Sequence, residues 1–342
     1  MEFDVKRITE FAWKSAAAAA LLALAGPAWS QAYEIKAGTV TINETEHRIA
    51  ELVVEELEKR SGGRIKGRVF PAGQLGSVAR QIEGLQLGTQ EFFVNPPTFM
   101  VGLNPAFQVL DAPGLFEDRA HAERAFLDPE FHDKYTKLAV NKGVECIGLF
   151  VYDFTAIASM MPIRKPEDLK GAKIRVLATK MESALMATYG AAGVPMDYME
   201  VMNALQQRAI DGVRSTAIVM GGSKFFSVAK HITLEASSAM PACIKTSVAW
   251  LRSLPEDLRA LVYAVGRELE PRAHALGREY EAKVEQLWKD NGAEVIRYSP
   301  EDQAKMKATL KPIGDQFLGG NPQTKEMYDV LKKVAERTRM KS

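Results

Sequence analysis

The chain has 342 residues, of which 46% are hydrophobic and 25% are charged, and its 44 basic residues nearly balance its 43 acidic residues. A formal net charge of +1 argues against a nucleic-acid partner, because such proteins carry a strongly basic surface. A chain of this length exceeds the size at which one hydrophobic core usually stops growing, so we expect two domains.

The first thirty residues have the pattern of a cleaved secretory signal peptide. Lys6, Arg7 and Lys14 precede an apolar, alanine-rich stretch, and a small-residue site follows at residues 28–30. The alternative is a membrane anchor, but the apolar stretch is well short of the roughly 20 residues that span a bilayer. No cysteine lies near the site to be lipidated. We therefore expect residues 1–30 to be removed and the mature protein to be free in an export compartment.

The region after the signal alternates strand and helix patterns. Residues 33–40 predict a buried strand, and residues 48–59 place apolar side chains at helical spacing. Residues 64–70 predict the next strand, after which Ser77 can cap a helix that Gly88 ends. This βαβα order predicts a mostly parallel sheet.

Similar units follow towards the C-terminus. Residues 145–152 and 173–177 predict strands, and the Asp-Pro and Ser-Pro pairs at residues 128–129 and 299–300 predict helix starts. Residues 255–290 favour helix throughout and are interrupted only by Pro271, which we expect to kink one long helix or to divide it.

The chain has two cysteines, Cys146 and Cys243. An oxidising compartment would allow a disulfide if their strands lie side by side, and the alternative is two buried thiols. The sequence leaves both possibilities open. No CxxC or CxxH spacing is present, so we expect no redox pair, no metal and no cofactor.

One charged residue interrupts the strand pattern at residues 173–177. Arg175 lies between Ile174 and Val176, where an unpaired guanidinium is costly. Its planar fork matches a carboxylate, which predicts a carboxylate partner. By position alone, that carboxylate can belong equally well to the protein or to a ligand.

The motifs around Arg175 follow a specific order. A PEDLKGxKIRV strand is followed by a helix, by a segment with glycine, proline and EVxxALQ, and by an Asp-Gly turn. The matching positions are residues 61–76, 87–89, 111–118, 166–176, Gly193, Pro195, Glu200, Val201, residues 204–206, 211–212 and 253–261. This order resembles the DctP family, the substrate-binding proteins of TRAP transporters, over nearly the whole mature chain.

The resemblance implies an α/β, two-lobed periplasmic binding protein fold with a cleft between the lobes and a long C-terminal helix that spans them. Lobe one would comprise residues 33–152 and 241–280, and lobe two residues 153–240 and 281–342. Such α/β lobes bind ligands in the crevice at the carboxyl ends of their strands.

The resemblance also implies the residues that contact the ligand. In this family the arginine of the KIRV strand binds the substrate carboxylate, and Arg175 matches it. Thr155 and Ser215 stand where members often carry a second arginine and an asparagine. A ligand with two carboxylates would lose its second anchor, so we predict a monocarboxylate. Arg214 can compensate, or it can be a solvated turn residue.

The other predicted cleft residues are polar or aromatic. Asn95 can offer a donor and an acceptor to a ligand, or it can cap its own turn. Aromatic faces can exclude water and stack on a substrate, although such residues are often part of a core. The predicted contacts besides Arg175, Thr155 and Ser215 are Thr39, Asn95, Thr98, Phe99, Phe154 and Tyr198. His47 lies near the expected cleft mouth and is otherwise a surface or cap residue.

We therefore predict a periplasmic solute-binding subunit of a TRAP transporter, a monomer without enzymatic activity. It would capture a small organic acid by hinge closure and deliver it to a small and a large membrane subunit. One alternative is a ligand-sensing subunit that presents its closed form to a membrane receptor kinase. A secreted hydrolase is the other, although neither GxSxG nor HExxH is present.

Overall fold

The structure is a computed structural model that describes residues 32–340, so the predicted signal peptide lies outside the described residues. The strands are β1 (Tyr33–Gly38), β2 (Ile65–Phe70), β3 (Phe92–Asn95), β4 (Val144–Ser159), β5 (Lys173–Val176), β6 (Ala192–Pro195), β7 (Gly212–Thr216), β8 (His231–Leu234), β9 (Ala239–Ser247) and β10 (Glu294–Arg297). The α-helices are α1 (Thr45–Arg60), α2 (Val78–Leu87), α3 (Arg119–Phe126), α4 (Pro129–Tyr135), α5 (Lys180–Ala187), α6 (Tyr198–Gln206), α7 (Ala217–Gly222), α8 (Val248–Ser253), α9 (Glu256–Asp290), α10 (Pro300–Gly314) and α11 (Pro322–Thr338).

The helix starts predicted from the sequence are confirmed. Ser77 Oγ accepts a hydrogen bond from the Arg80 amide at 3.4 Å, and α2 ends at Gly88, whose φ of 72° suits a residue without Cβ. The side chains of Asp128 and Ser299 cap α4 and α10 in the same manner. Local hydrogen bonding therefore sets where these helices begin.

The long strand β4 passes through the middle of a ten-stranded sheet whose order is β2-β1-β3-β9-β4-β7-β5-β6. Its residues 144–154 pair with β9, and its residues 155–159 pair with β7. We call β2-β1-β3-β9 with residues 144–154 the first half-sheet. The second half-sheet is residues 155–159 with β7-β5-β6 and with β8 and β10, which pair alongside.

The expectation of a mostly parallel sheet is wrong. Strands β1 and β3 are parallel, as are β5 and its neighbours β6 and β7. Strands β4 and β9, however, run antiparallel to each other, and β9 is also antiparallel to β3 and β4 to β7. The sheet is therefore mixed. Its pairs are antiparallel around the central strands β4 and β9, and they are parallel between β1 and β3 and within β7-β5-β6.

The predicted long helix is confirmed as one helix, α9, which continues through Pro271. Two of its glycines lie against the backbone of β4: a Cβ on Gly266 would be 2.4 Å from the Ile147 carbonyl oxygen, and one on Gly277 would be 2.6 Å from that of Tyr152. Further along, Trp288 Nε1 donates to the Ala217 carbonyl at 3.1 Å. The helix therefore extends from the first half-sheet to α7 beside the second.

The final helix, α11, lies in the range that the sequence assigned to lobe two, but it packs against elements assigned to lobe one. Leu331 and Val334 of α11 are fully buried in one apolar core with Phe107, Leu110 and residues of α3 and α4. The boundaries between the lobes stay a prediction, but residues 322–338 lie beside elements that the sequence assigned to lobe one.

Cys146 and Cys243 form a disulfide, which decides between the two possibilities left open by the sequence. They lie on the neighbouring strands β4 and β9, with their Cα atoms 5.8 Å apart. The bond closes a long stretch of chain, and such disulfides typically stabilise a fold by about 2–4 kcal/mol. None of the helices in the described part of the chain is long and apolar enough to cross a membrane.

Candidate functional site

A small cavity of about 20 Å³ lies where β4 passes from one half-sheet to the other. The loops after β1 and β3 form one wall, and β5, β7 and the start of α6 form the opposite wall. The lining residues are Val40, Thr41, Glu46, Pro96, Phe99, Tyr152, Arg175, Leu177, Tyr198, Ser215, Val219 and Met240. The structure thus brings four of the predicted contacts together: Phe99, Arg175, Tyr198 and Ser215.

Arg175 on β5 is only 1% exposed. Its Nε and Nη2 donate to the carbonyl oxygen of Met196 at 3.1 and 3.0 Å, and its Cζ lies 5.8 Å from the centre of the Tyr198 ring. Among residues 32–340, no carboxylate lies within ion-pair distance of it. Burial consequently lowers the pKa of the Arg175 guanidinium.

Tyr198 supports this arginine from the first turn of α6. Its ring stacks on Phe225 with 5.7 Å between the ring centres, and its hydroxyl lies 2.8 Å from Ser223 Oγ. Burial raises the pKa of the Tyr198 phenol, which therefore stays neutral at physiological pH. The Tyr198 ring is thus held by Phe225 and Ser223, and it lines the cavity.

Ser215 and Arg214 are neighbours on β7 and point to opposite sides. Ser215 lines the cavity, whereas Arg214 is buried on the other side and pairs with Glu182 at 2.6 Å and with Glu235 at 2.9 Å. Its Nη2 also donates to Ser237 Oγ at 2.9 Å. The interpretation of Arg214 as a solvated turn residue is wrong, because its guanidinium is enclosed by carboxylates of the protein.

Two glutamates stand at the start of α1, and one of them, Glu46, lines the cavity. Glu44 caps α1 by accepting from the amides of Glu46 and His47 at 2.7 and 2.9 Å, and it also accepts from Thr41 Oγ1 at 2.6 Å. Glu46 is fully buried; its Oε2 accepts from Thr41 Oγ1 at 3.1 Å, and the Tyr152 hydroxyl lies beside its carboxyl group. Burial and the neighbouring Glu44 raise the pKa of Glu46 well above its usual range.

A buried lysine stands behind the loop after β3. Lys245 Nζ donates to the Asn95 carbonyl at 2.5 Å and also to its side-chain Oδ1. Burial lowers the pKa of Lys245 to about 7, while the charge of Glu46 acts in the opposite direction. Asn95 therefore accepts hydrogen bonds from the buried side chain of Lys245. It neither caps its own turn nor lines the cavity.

The other predicted contacts lie beside the cavity or away from it. Thr39 Oγ1 donates to the Thr41 carbonyl at 2.7 Å, and Thr98 is buried next to Phe99. Phe154 and Thr155 line a different cavity, of about 160 Å³, near α9 and β10. Thr155 Oγ1 accepts from the Ser238 amide at 3.2 Å, so it is engaged with the segment before β9.

His47 is also away from the lining residues. Its Nδ1 accepts from the Asn43 amide at 3.2 Å, and its Nε2 lies 3.6 Å from Glu51 Oε1. These contacts belong to the first turns of α1. His47 is therefore a cap residue in this structure.

Sequence reasoning missed Glu46, Tyr152 and Lys245. One signal was available for Lys245, because it interrupts the apolar strand β9 just as Arg175 interrupts β5. Glu46 offered no such signal, since acidic residues are ordinary in the first turn of a helix. Its neighbours Tyr152 and Lys245 come from β4 and β9, which are distant in the chain.

The DctP family model, described as bacterial extracellular solute-binding protein, family 7, matches residues 37–319. The 2,3-diketo-L-gulonate-binding periplasmic protein YiaO of Escherichia coli is 28% identical over 86% of this chain and 88% of its own length.

Two solved TRAP periplasmic solute-binding proteins are also similar, each at 25% identity. One, from Desulfovibrio salexigens with bound orotic acid, has a TM-score of 0.84 and covers 90% of this chain and 100% of its own. The other, from Shewanella oneidensis with bound succinate, has a TM-score of 0.82 and covers 89% and 99%. The chain therefore belongs to the DctP family of bacterial extracellular solute-binding proteins, family 7, and is a TRAP-type periplasmic solute-binding protein.

Proposed function

We propose that this protein captures a small organic monocarboxylate through Arg175 and delivers it to the membrane subunits of a TRAP transporter. The observation that carries the proposal is the environment of Arg175: a guanidinium that is 1% exposed, lines a cavity and has no carboxylate of the described chain beside it. A buried cation without a counter-ion is costly, and a ligand carboxylate removes that cost.

A monocarboxylate suits the charges around this cavity. The basic side chains on neighbouring strands are engaged outside the cavity: Arg214 is enclosed by Glu182 and Glu235, and Lys245 is bonded to Asn95. Thr155 lies outside the lining. A second carboxylate would therefore enter a closed cavity without a free cation to meet it.

Binding requires the two walls to separate, because a cavity of about 20 Å³ has room for little more than one water molecule. In the described structure Asp197 links α6, which contributes to one wall, to α2. Its Oδ1 caps α6 at the Met199 amide, 3.0 Å away, and its Oδ2 accepts from the Val78 amide of α2 at 3.2 Å. Arg175 donates to the carbonyl of Met196, the residue before Asp197. A carboxylate bound to Arg175 would therefore be coupled to the contact between Asp197 and Val78.

The test is calorimetric titration of the mature protein with a panel of small organic monocarboxylates and with succinate. Arg175→Met is expected to abolish monocarboxylate binding while circular dichroism shows an unchanged fold. Arg80→Met is the control, because Arg80 is exposed on α2 and is not among the lining residues. Unchanged affinity of the Arg175 variant, or tighter binding of succinate than of every monocarboxylate, would contradict the proposal.

Delivery is tested separately, with the two membrane subunits in proteoliposomes. We expect uptake of the bound acid that depends on this protein and on an ion gradient. A protein that binds the acid without supporting uptake, but activates a membrane receptor kinase, would favour the sensing alternative.

A further inference from the structure

Met199 is an exposed methionine beside the cavity. It lies in the first turn of α6, next to the lining residue Tyr198, and it is 44% exposed. Within residues 32–340, Met340 is the other exposed methionine, at 71%, and the remaining methionines are buried or half-buried. Oxidants reach an accessible thioether first and convert it to a polar sulfoxide. Met199 is therefore open to chemical modification close to the site.

The Met199 side chain packs against Gly73, in the turn after β2. A Cβ on Gly73 would lie 2.5 Å from the Met199 sulfur and 2.7 Å from its Cε, so the thioether fills the space in front of this glycine. The φ of Gly73 is 70°, a conformation that suits glycine. An oxygen added to the sulfur on this side would collide with the turn.

Gly73 is tied by backbone hydrogen bonds to the wall that the loops after β1 and β3 form. Its amide donates to the Thr39 carbonyl at 2.9 Å, and the Ala72 amide donates to the Thr41 carbonyl at 3.2 Å. Thr41 follows β1 and lines the cavity. The contact of Met199 with Gly73 therefore connects α6, at the opposite wall, with the loop after β1.

The turn around Gly73 suits a thioether better than a sulfoxide. The amides of Gly73, Gln74 and Gly76 already donate to carbonyl oxygens, at 2.9, 3.2 and 2.8 Å. A sulfoxide oxygen facing this turn would meet amides that are engaged, and a polar oxygen without a donor is unfavourable in a contact. Oxidation is thus expected to move the Met199 side chain away from Gly73.

We propose that Met199 is an oxidation site that controls closure of the cavity: its sulfoxide weakens the contact with Gly73 and favours the open form. The oxidant is hydrogen peroxide. The thioether sulfur gives up two electrons and bonds to one peroxide oxygen, the O–O bond breaks, and the second oxygen leaves as water. The inference rests on the proposed function only for its effect on ligand capture, because the contact between α6 and the turn forms without a ligand.

The test measures the distance between spin labels on Glu83→Cys in α2 and Gln206→Cys in α6 by pulsed electron paramagnetic resonance, before and after peroxide treatment. Both positions are exposed, and mass spectrometry identifies the oxidised methionines. The distance should lengthen in oxidised wild type and stay unchanged in Met199→Leu. Met340→Leu is the matched control, because it removes the other exposed thioether and should respond as wild type does.

Calorimetric titration with D-galactonate as the probe measures the effect on binding. Oxidation should weaken binding to wild type by about fivefold or more, since a polar oxygen left unpaired in a contact is costly. Methionine sulfoxide reductases that act on both epimers should restore it. Met199→Leu should bind the probe equally before and after peroxide treatment.

The inference is overturned if the distance in oxidised wild type equals that in untreated protein, or if Met199→Leu responds to peroxide as wild type does. Arg175→Met separates it from the proposed function, because that variant should lose galactonate binding and keep the change of distance. An unchanged distance, with binding lost in Arg175→Met, leaves the proposed function standing and this inference wrong. A changed distance, with binding intact in Arg175→Met, gives the reverse.

Discussion

Two arginines on neighbouring strands of the second half-sheet occupy contrasting environments. Arg175 on β5 and Arg214 on β7 are each 1% exposed, and their strands pair directly, with Arg175 opposite Val213. Arg214 is paired with Glu182 and Glu235, whereas within residues 32–340 the guanidinium of Arg175 bonds only to a backbone carbonyl. Burial is therefore the same for both, and the counter-ion is what differs.

The comparison teaches how a buried charge is to be interpreted. A buried cation that the fold has already neutralised is part of the structure, and removing it leaves its partners unpaired. A buried cation that the fold leaves without a carboxylate is a site for a ligand carboxylate. The position of the two residues in the sequence, each within a short apolar strand, does not distinguish these roles.

The largest expected effect comes from removing the paired arginine. Arg214→Met leaves Glu182 and Glu235 buried without their cation, and breaking such a pair typically costs about 3–5 kcal/mol. Urea unfolding of the variant and of wild type measures the loss. A change in the free energy of unfolding below about 1 kcal/mol, the range of an exposed ion pair, would contradict a structural role.

The second prediction concerns Asp111, a buried carboxyl group near Arg214 and Glu182. Burial, followed by the charge of Glu182, raises the pKa of Asp111 to about 8. Between its unfolded pKa of about 4 and this value, the folded protein binds one proton more than the unfolded chain, so stability falls as pH rises. The slope reaches at most about 1.4 kcal/mol per pH unit for one group.

Urea unfolding between pH 5 and pH 8 measures that slope. Asp111→Asn should flatten it, because the amide does not titrate. Asp153→Asn should also flatten it, but only up to about pH 7, because burial raises the pKa of Asp153 to about 7 while Arg119, 3.5 Å away, opposes the shift. An unchanged slope in the Asp111 variant would show that this carboxyl group is ionised in the folded protein.

The third prediction tests the contact next to the unpaired arginine. Asp197→Ala removes caps from α6 and α2 together, and loss of a cap typically costs about 1 kcal/mol. We expect ligand affinity to fall as well, because the lost bond to Val78 links α6, at one wall of the cavity, to α2. Ser77→Ala removes only the cap at Arg80 on α2, so it should lower stability without changing affinity.

The smallest expected effect on stability is that of the unpaired arginine itself. Arg175→Met should change the free energy of unfolding by less than about 1 kcal/mol, or raise it, because replacing an unpaired buried charge by an apolar side chain of similar length removes a desolvation cost. The same urea series measures it beside Arg214→Met. Equal losses of unfolding free energy in the two variants would contradict the distinction between a structural Arg214 and a ligand-binding Arg175.

Local structure was readable from the sequence because its determinants lie within a few residues of one another. The caps at Ser77, Asp128 and Ser299 and the helix at residues 255–290 follow from hydrogen bonding and helix propensity along the chain. The direction of β4 and β9 was not readable, since strand pairing across the sheet joins segments about a hundred residues apart in this chain. The residues that line the cavity were predicted only where a family motif marked them.

The sequence by itself determined that Arg175 sits in an apolar strand and needs an oxygen partner, because a guanidinium keeps its charge wherever it is buried. Only the tertiary structure decided which arginine was left without a carboxylate. Glu182 and Glu235 reach Arg214 from a helix and a loop that lie 32 and 21 residues away. The pairing of charges is set by distances in space, and those distances exist only once the second half-sheet and its helices have packed.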